Sequence, residues 1–268
     1  MTQDTKTIDA KFIKTVNWIG LYTLIRKEVS RFLSVYSQTI VAPVITTLLF
    51  YAVFSIAFGQ ARGNMMGYEF MLFLTPGLIM MSMAQNAFAN TSSSLVIGKV
   101  QGNIVDILMA PLSSLELLIG YTIGGVIRGL MLGVASTVAI AVFIDITITY
   151  LWAVIVYGIL GSVMLALMGV IGGIWSEKFD HMAAVTNFLV TPLTFLSGTF
   201  YTMDRLPGVL STIGQYNPFF FMIDGFRYGY LGQADGDLSL SFWGLIIVNI
   251  ALTAVAYTML KKGYKIKN

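Results

Sequence analysis

Along the chain, apolar residues gather in long runs separated by short polar connectors, with little alternation of period two. Runs of this length predict helices, because a buried strand uses only four to eight residues. Six of them, 38–58, 69–95, 117–143, 150–174, 182–201 and 239–260, suffice to cross a bilayer at about 20 residues per helix. Ahead of them Ile8, Phe12, Val16, Ile19, Tyr22, Ile25, Val29, Phe32 and Tyr36 recur every three or four residues, with Lys11, Lys14, Lys27 and Arg31 off that stripe. The pattern predicts an amphipathic helix lying on the membrane surface and interrupted at Gly20, with a soluble helix packed on a partner as the alternative. No cleavable signal peptide is expected, since the first sustained apolar run begins near Val35.

Two segments fall outside the crossing pattern. Between 202 and 238 lie two apolar pieces, Leu206 to Tyr216 and Pro218 to Leu231, each too short to cross. Pro207 and Pro218 suit helix openings, and Asn217 before Pro218 marks a corner between them. Their aromatic content, Phe219 to Phe221, Phe226, Tyr228 and Tyr230, fits a re-entrant or interfacial hairpin better than a loop in water. Gly225 and Gly229 alternate with those aromatics, which predicts close approach to the hairpin of a second copy. The other segment joins the second and third runs. It predicts a short amphipathic helix between Gly102 and Pro111, with Ile104, Ile107 and Leu108 on one side and Asp106 on the other. Such a helix suits either a rigid knob in a partner's groove or a lie along the bilayer.

Composition turns these lengths into a membrane assignment. Of 268 residues 56% are hydrophobic and 11% charged, whereas soluble domains carry about 25% charged residues. Sidedness follows from Lys and Arg, which favour cytoplasmic loops. With the N-terminus inside, Lys6, Lys11, Lys14, Arg26, Lys27, Arg31, Lys99, Lys178, Lys261, Lys262, Lys265 and Lys267 are cytoplasmic; Arg62, Arg205 and Arg227 are outside. This split of twelve against three predicts six spans with both termini cytoplasmic.

Several chemistries are excluded. No Cys and one His leave no thiolate site and no histidine cluster for a metal. The net charge of +3 gives no footprint for nucleic acid. Gly98-Lys99 is followed by Val100 and lacks the upstream Gly of a phosphate-binding loop, so ATP is not hydrolysed that way. His181 and Ser197 are sixteen residues apart on one predicted helix, about 24 Å at 1.5 Å per residue, too far for a protease dyad.

Polar residues inside the runs remain. Ser82, Gln85, Asn86, Asn90 and Ser93 share one face of the second span, where they either bond neighbouring helices or line a path. Gly120, Gly124, Gly125, Gly129 and Gly133 predict close packing of the third. Arg128 is the one clear charge inside a span; it snorkels, meets an anionic substrate group, or pairs with Glu116 or Glu177. Asp224 and Arg227, three apart, form a candidate ion pair holding the hairpin.

Taken in order, PGL at Pro76 to Leu78, GKVQGNIVDILMAPLS from Gly98, FLSGTFYTMDRLP and QYNPFFFMIDGFRYGYLG resemble the permease subunits of type-2 ABC exporters. The resemblance extends from an Arg26-Lys27-Glu28 cluster, through Pro43 in the first span, to the basic tail. It implies an all-α polytopic fold forming a single transmembrane domain: interfacial helix 1–37, spans within 38–201, outer hairpin 202–238, last span 239–260 and tail 261–268. It also implies a bacterial inner-membrane location, a second copy of the chain, two ATPase subunits holding the ATP and Mg, and no cofactor here. In the family the connector helix seats in the ATPase. Carried over, that role falls on Lys99, Gln101, Gly102, Asn103, Ile104, Asp106 and Pro111, with Arg26, Lys27 and Glu28 on the surface helix beside it. The path or gate falls on Gln85, Asn86, Asn90, Arg128, Phe200, Tyr201, Pro218, Asp224 and Arg227. The implied substrate is amphiphilic, drug-like, lipid or glycoconjugate. A secondary transporter driven by an ion gradient is the alternative, and it would need carboxylates inside the spans.

Overall fold

The computed structural model describes residues 16–58 and 64–265. The expectations for Ile8, Phe12, Lys6, Lys11, Lys14, Arg62 and Lys267 lie outside the described residues. Among the described residues the regular structure is helical except for one hairpin of two-residue strands, β1 (Asn64–Met65) against antiparallel β2 (Tyr68–Glu69). Helix α1 (Trp18–Leu33) is followed by a π-helical turn (Ser37–Val41), α2 (Ala42–Phe58), α3 (Phe70–Val100), the short α4 (Ile104–Met109), α5 (Ser114–Ala141) and α6 (Leu151–Trp175). Then come α7 (Phe179–Val185), a second π turn (Thr186–Val190), α8 (Thr191–Phe195), α9 (Gly208–Gln215), α10 (Pro218–Leu231) and α11 (Leu238–Lys262).

Among the described residues five helices are long and apolar enough to cross a membrane: Ser37–Ala57, α3, α5, α6 and α11. They match five of the six predicted runs. The remaining run, 182–201, forms the shorter helical segment α7, π turn and α8, which ends at Leu196. It stops there because the Ser197 and Thr194 groups bond locally and Gly198 turns the chain at φ 70°.

The bundle is built around α3, which packs on α5, α6, α10 and α2. In its most apolar stretch 78% of residues are buried, against 11% for the first span and 17% for α11, so those two form the outer wall. Close approach depends on glycine. A Cβ at Gly125 or Gly129 of α5 would lie 3.0 Å from a backbone oxygen of α3, Ala87 O and Met83 O respectively. Gly120 and Gly124 face α1 instead, against Leu24 and Glu28.

One residue separates each π turn from a proline. Proline lacks an N–H and its ring crowds the carbonyl four residues back, so Pro43 and Pro192 widen the preceding turns. Ala42 N–H bonds Ser37 O and Thr191 N–H bonds Thr186 O, five residues back in each case.

Two expectations are corrected. Helix α1 continues through Gly20, capped by Asn17, whose Oδ1 accepts the Gly20 N–H at 2.9 Å. Its buried residues are Leu21, Leu24, Glu28 and Phe32, which pack towards α5, while Ile19 and Tyr22 of the predicted stripe are exposed together with Trp18. The helix therefore carries two apolar faces, one turned into the bundle and one outward. Gly225 and Gly229 serve contacts within the chain: a Cβ there would meet the Tyr157 ring at 2.1 Å and Val154 at 2.6 Å on α6.

Candidate functional site

At the α4 end of the bundle, residue spacing builds a cleft. Ser113 and Glu116 form a capping box that opens α5, and the carboxylate also accepts the Asn17 N–H at 2.5 Å, while Asn17 Nδ2 donates to Pro111 O at 3.1 Å. One carboxylate thereby ties the start of α1 to the connector after α4. Between α1, the end of α3 and α4 lies a cleft of about 750 Å³, lined by Lys27, Arg31, Gln101, Asn103, Asp106 and Pro111 among others.

Around it the predicted residues are arranged unequally. Gln101, Gly102, Asn103, Asp106 and Pro111 are exposed. Ile104 is buried and pins α4 to the bundle, leaving Val105 and Met109 outward at 53% and 79% exposure, as an apolar tip. Gly102 sits at φ 77° with no atom near its missing side chain. Lys99 turns back, its ammonium bonding Ile174 O and, at 3.0 Å, Ser176 O at the end of α6. Of the Arg26-Lys27-Glu28 cluster, Arg26 and Lys27 face outward and Glu28 is fully buried.

Glu28 centres a polar network that binds α1 to α3. Its Oε1 accepts from Ser94 Oγ at 2.7 Å, and its Oε2 pairs with Arg31 Nη2 at 3.2 Å. Arg31 Nη2 also donates to Asn90 O at 2.8 Å and Asn90 Oδ1 at 2.9 Å. Reading α1 by its apolar stripe missed this role of Arg31, Ser94 and Asn17. The Ser113-x-x-Glu116 spacing was the one signal in the sequence that pointed to the tie.

One helical turn further along α3 from Asn90, Arg128 Nη2 donates to Asn86 Oδ1 at 2.8 Å, and Asn86 Nδ2 donates to Ser82 O at 3.0 Å. The expected partners of Arg128 are engaged elsewhere: Glu116 caps α5, and Glu177 pairs with Lys265 at 2.8 Å. The face of α3 thus divides, with Asn90 bonded to α1 while Gln85 and Asn86 border two clefts, one against α7 and the second π turn, the other against α2.

At the opposite end, α9 and α10 form the two short helices expected, with Pro218 opening α10. Asn217 caps it, accepting the Phe219 N–H at 3.0 Å, and its Nδ2 donates to Leu193 O and Leu196 O. Arg227, fully buried, pairs with Asp224 at 3.7 Å, donates to Gly198 O at 2.6 Å and lies 3.9 Å from the Phe73 ring centre. Asp224 accepts the N–H groups of Asp235 and Gly236 at 2.8 and 2.9 Å, and Asp235 accepts that of Met203 at 2.7 Å. Burial raises the Asp235 carboxyl above its ordinary value. Phe200 stacks between Phe54 at 4.8 Å and Phe195 at 5.7 Å, and Tyr201 Oη donates to Phe195 O at 3.1 Å.

The Glu177–Lys265 pair joins the α6–α7 connector to the segment after α11. The hydrogen bond from Lys265 holds the Glu177 carboxyl below the usual range, and Glu177 raises Lys265. A depressed carboxyl stabilises the fold above its unfolded pKa, and that contribution is lost as pH falls through the folded pKa. Release of residues 263–265 is therefore expected on acidification below about pH 4, read by fluorescence of a label at Tyr264→Cys; Glu177→Gln should give the released signal at neutral pH.

Compared with known proteins, residues 20–231 match the family of ABC-2 type transporters. The inner membrane transport permease YadH of Escherichia coli is 37% identical over 247 residues, covering 92% of this chain and 96% of the relative. Nodulation protein J of Rhizobium leguminosarum is 24% identical over 76% of the chain and 79% of its own length. The probable multidrug ABC transporter permease YbhR of Escherichia coli is 23% identical over 72% of the chain and 53% of its own length. With a helical bundle of membrane-crossing length and a family match over most of its residues, the chain belongs to the ABC-2 type transporters, as a permease subunit.

Proposed function

We propose that the chain is the transmembrane half of a bacterial inner-membrane exporter, two copies of which enclose a path for an amphiphilic, drug-like, lipid or glycoconjugate molecule while two separate ATPase subunits bind ATP and Mg and supply the work. The observation that carries the reading is α4: a short helix pinned by Ile104, projecting Val105 and Met109 into water beside the charged cleft of α1. Exposed apolar residues on a rigid projection suit insertion into a partner's groove. The names of its relatives, transport permease and multidrug ABC transporter permease, support the same class.

In this reading the α7–α8 segment completes a sixth crossing. Its 17 residues, Phe179 to Phe195, rise about 26 Å at 1.5 Å each, and the chain beyond Leu196 reaches the outer surface. Both termini and α4 are cytoplasmic, as the distribution of Lys and Arg requires. Gln85 and Asn86, with Asn90 and Arg128 behind them, border the path. The hairpin of α9 and α10, with Phe200, Tyr201, Pro218, Asp224 and Arg227, closes it on the outside.

Transport by inside-out vesicles tests the reading. Co-expression of the chain with its ATPase is expected to give ATP-dependent accumulation of a fluorescent amphiphile, absent when either protein is omitted. Accumulation that survives ATP removal and collapses with a proton ionophore would establish the ion-driven alternative instead.

A further inference from the structure

The two clefts that flank Gln85 and Asn86 have volumes of about 400 and 300 Å³. Gln85 lies fifteen residues from each end of α3, about 22 Å along the helix, at its middle. Among the described residues that line these clefts there is no Asp, Glu, Lys, Arg or His. Their polar groups are amides and hydroxyls, such as Gln38, Thr46, Ser92 and Thr186, set among apolar side chains such as Phe50 and Val190.

The two arginines that reach Asn86 and Asn90 are already bonded. Arg128 lines neither cleft; it sits behind Asn86 and fixes that amide, whose two ends are held by Arg128 and Ser82 O. Arg31 is engaged by Glu28 and Asn90, and reaches the edge only through Ser93 Oγ at 3.4 Å. The Gln85 amide makes no hydrogen bond to any described residue, so its donors and acceptor remain available.

A charged group at this depth needs an opposite charge or water, since burying it unpaired costs several kcal/mol. An uncharged hydroxyl or amide needs only the partners present here. On the reading of these clefts as the transport path, we infer that the molecule carried past Gln85 presents an uncharged head rich in hydroxyl or amide groups on an apolar tail, and is neither a cationic nor a phosphate-headed amphiphile. Arg128 then acts as a positioning residue for Asn86.

The chain contains no cysteine, so Ala89→Cys in the cleft and Met109→Cys on the exposed tip can each carry the single thiol of the full-length protein in lipid nanodiscs. Their labelling rates with neutral, sulfonate-bearing and trimethylammonium-bearing thiosulfonates are compared. After normalising to Met109→Cys, the anionic and cationic reagents are expected to react with Ala89→Cys at rates within about threefold of each other, both slower than the neutral one. Submicellar dodecyl maltoside should slow that labelling several-fold, while dodecyltrimethylammonium and dodecyl phosphate should not. A preference of about tenfold for either charged reagent, equal protection by a charged amphiphile, or no protection by the maltoside would overturn the inference while leaving the path in place. Failure of Ala89→Cys to react with any reagent, with Met109→Cys reacting normally, would remove the path itself and the inference with it.

Discussion

Replacing Asp224 by Ala is expected to lower the stability of the purified protein by about 3–5 kcal/mol, the cost of leaving a buried charge without its partner. Arg227 on α10 is fully buried, and the carboxylate of Asp224 is its only counter-charge within 4 Å among the described residues. The same carboxylate holds the N–H groups of Asp235 and Gly236, so its loss also unties the turn into α11. Thermal unfolding in detergent, followed by tryptophan fluorescence, measures the effect. The double variant Asp224→Leu with Arg227→Met removes both charges and should be destabilised far less than Asp224→Ala alone, because no uncompensated ion remains. A double variant as unstable as the sum of the single ones would mean that the pair matters for its backbone contacts and not its charges.

Gly102→Pro is expected to leave the protein folded and inserted but to abolish stimulation of the partner ATPase by transported amphiphile. The glycine has φ 77°, which proline, fixed near −65°, cannot adopt, so the chain must rearrange where α3 hands over to α4. No atom lies near the position of its side chain, which confines the damage to backbone direction. Gly102→Ala should be much milder, since the left-handed conformation costs a non-glycine residue about 1–2 kcal/mol. Removing Asn103 and Asp106 should uncouple in the same sense. Stimulation by transported amphiphile that stays at the wild-type level in Gly102→Pro would rule out α4 as the transmitting element.

Much of this architecture could be read from periodicity because a bilayer imposes length and apolarity on anything that crosses it. The ends of five spans fall within a few residues of the apolar runs. They drift where a polar residue interrupts the apolar run without ending the helix: α3 runs on from Leu95 to Val100 past Gly98 and Lys99. The α7–α8 segment was less legible, since 182–201 is mostly apolar to its end while Gly198 and the local bonds of Ser197 end the helix early. The corner at Asn217-Pro218 and the knob between Gly102 and Pro111 were legible because proline fixes its own φ and glycine admits a left-handed turn regardless of their surroundings.

The polar contacts were harder to foresee. A hydropathy stripe selects apolar residues, so it took the outward Ile19 and Tyr22 together with the buried Phe32 and passed over Glu28, which is buried only because Arg31 and Ser94 come within reach from the same helix and from α3. Arg128 was visible as a charge within a span, yet its partner on α3 depends on how two helices pack. The glycines of α10 show the same limit, as spacing alone does not say which surface a small residue admits.

The central claim is that α4 is the seat of a separate ATPase, and co-purification measures it most directly. Val105→Asp with Met109→Asp places two charges on the exposed apolar tip without touching Ile104 or the bundle. The account predicts that the tagged variant is produced and inserted at wild-type level but loses the ATPase that co-purifies with the unaltered chain. Recovery of the ATPase at the wild-type ratio would contradict it.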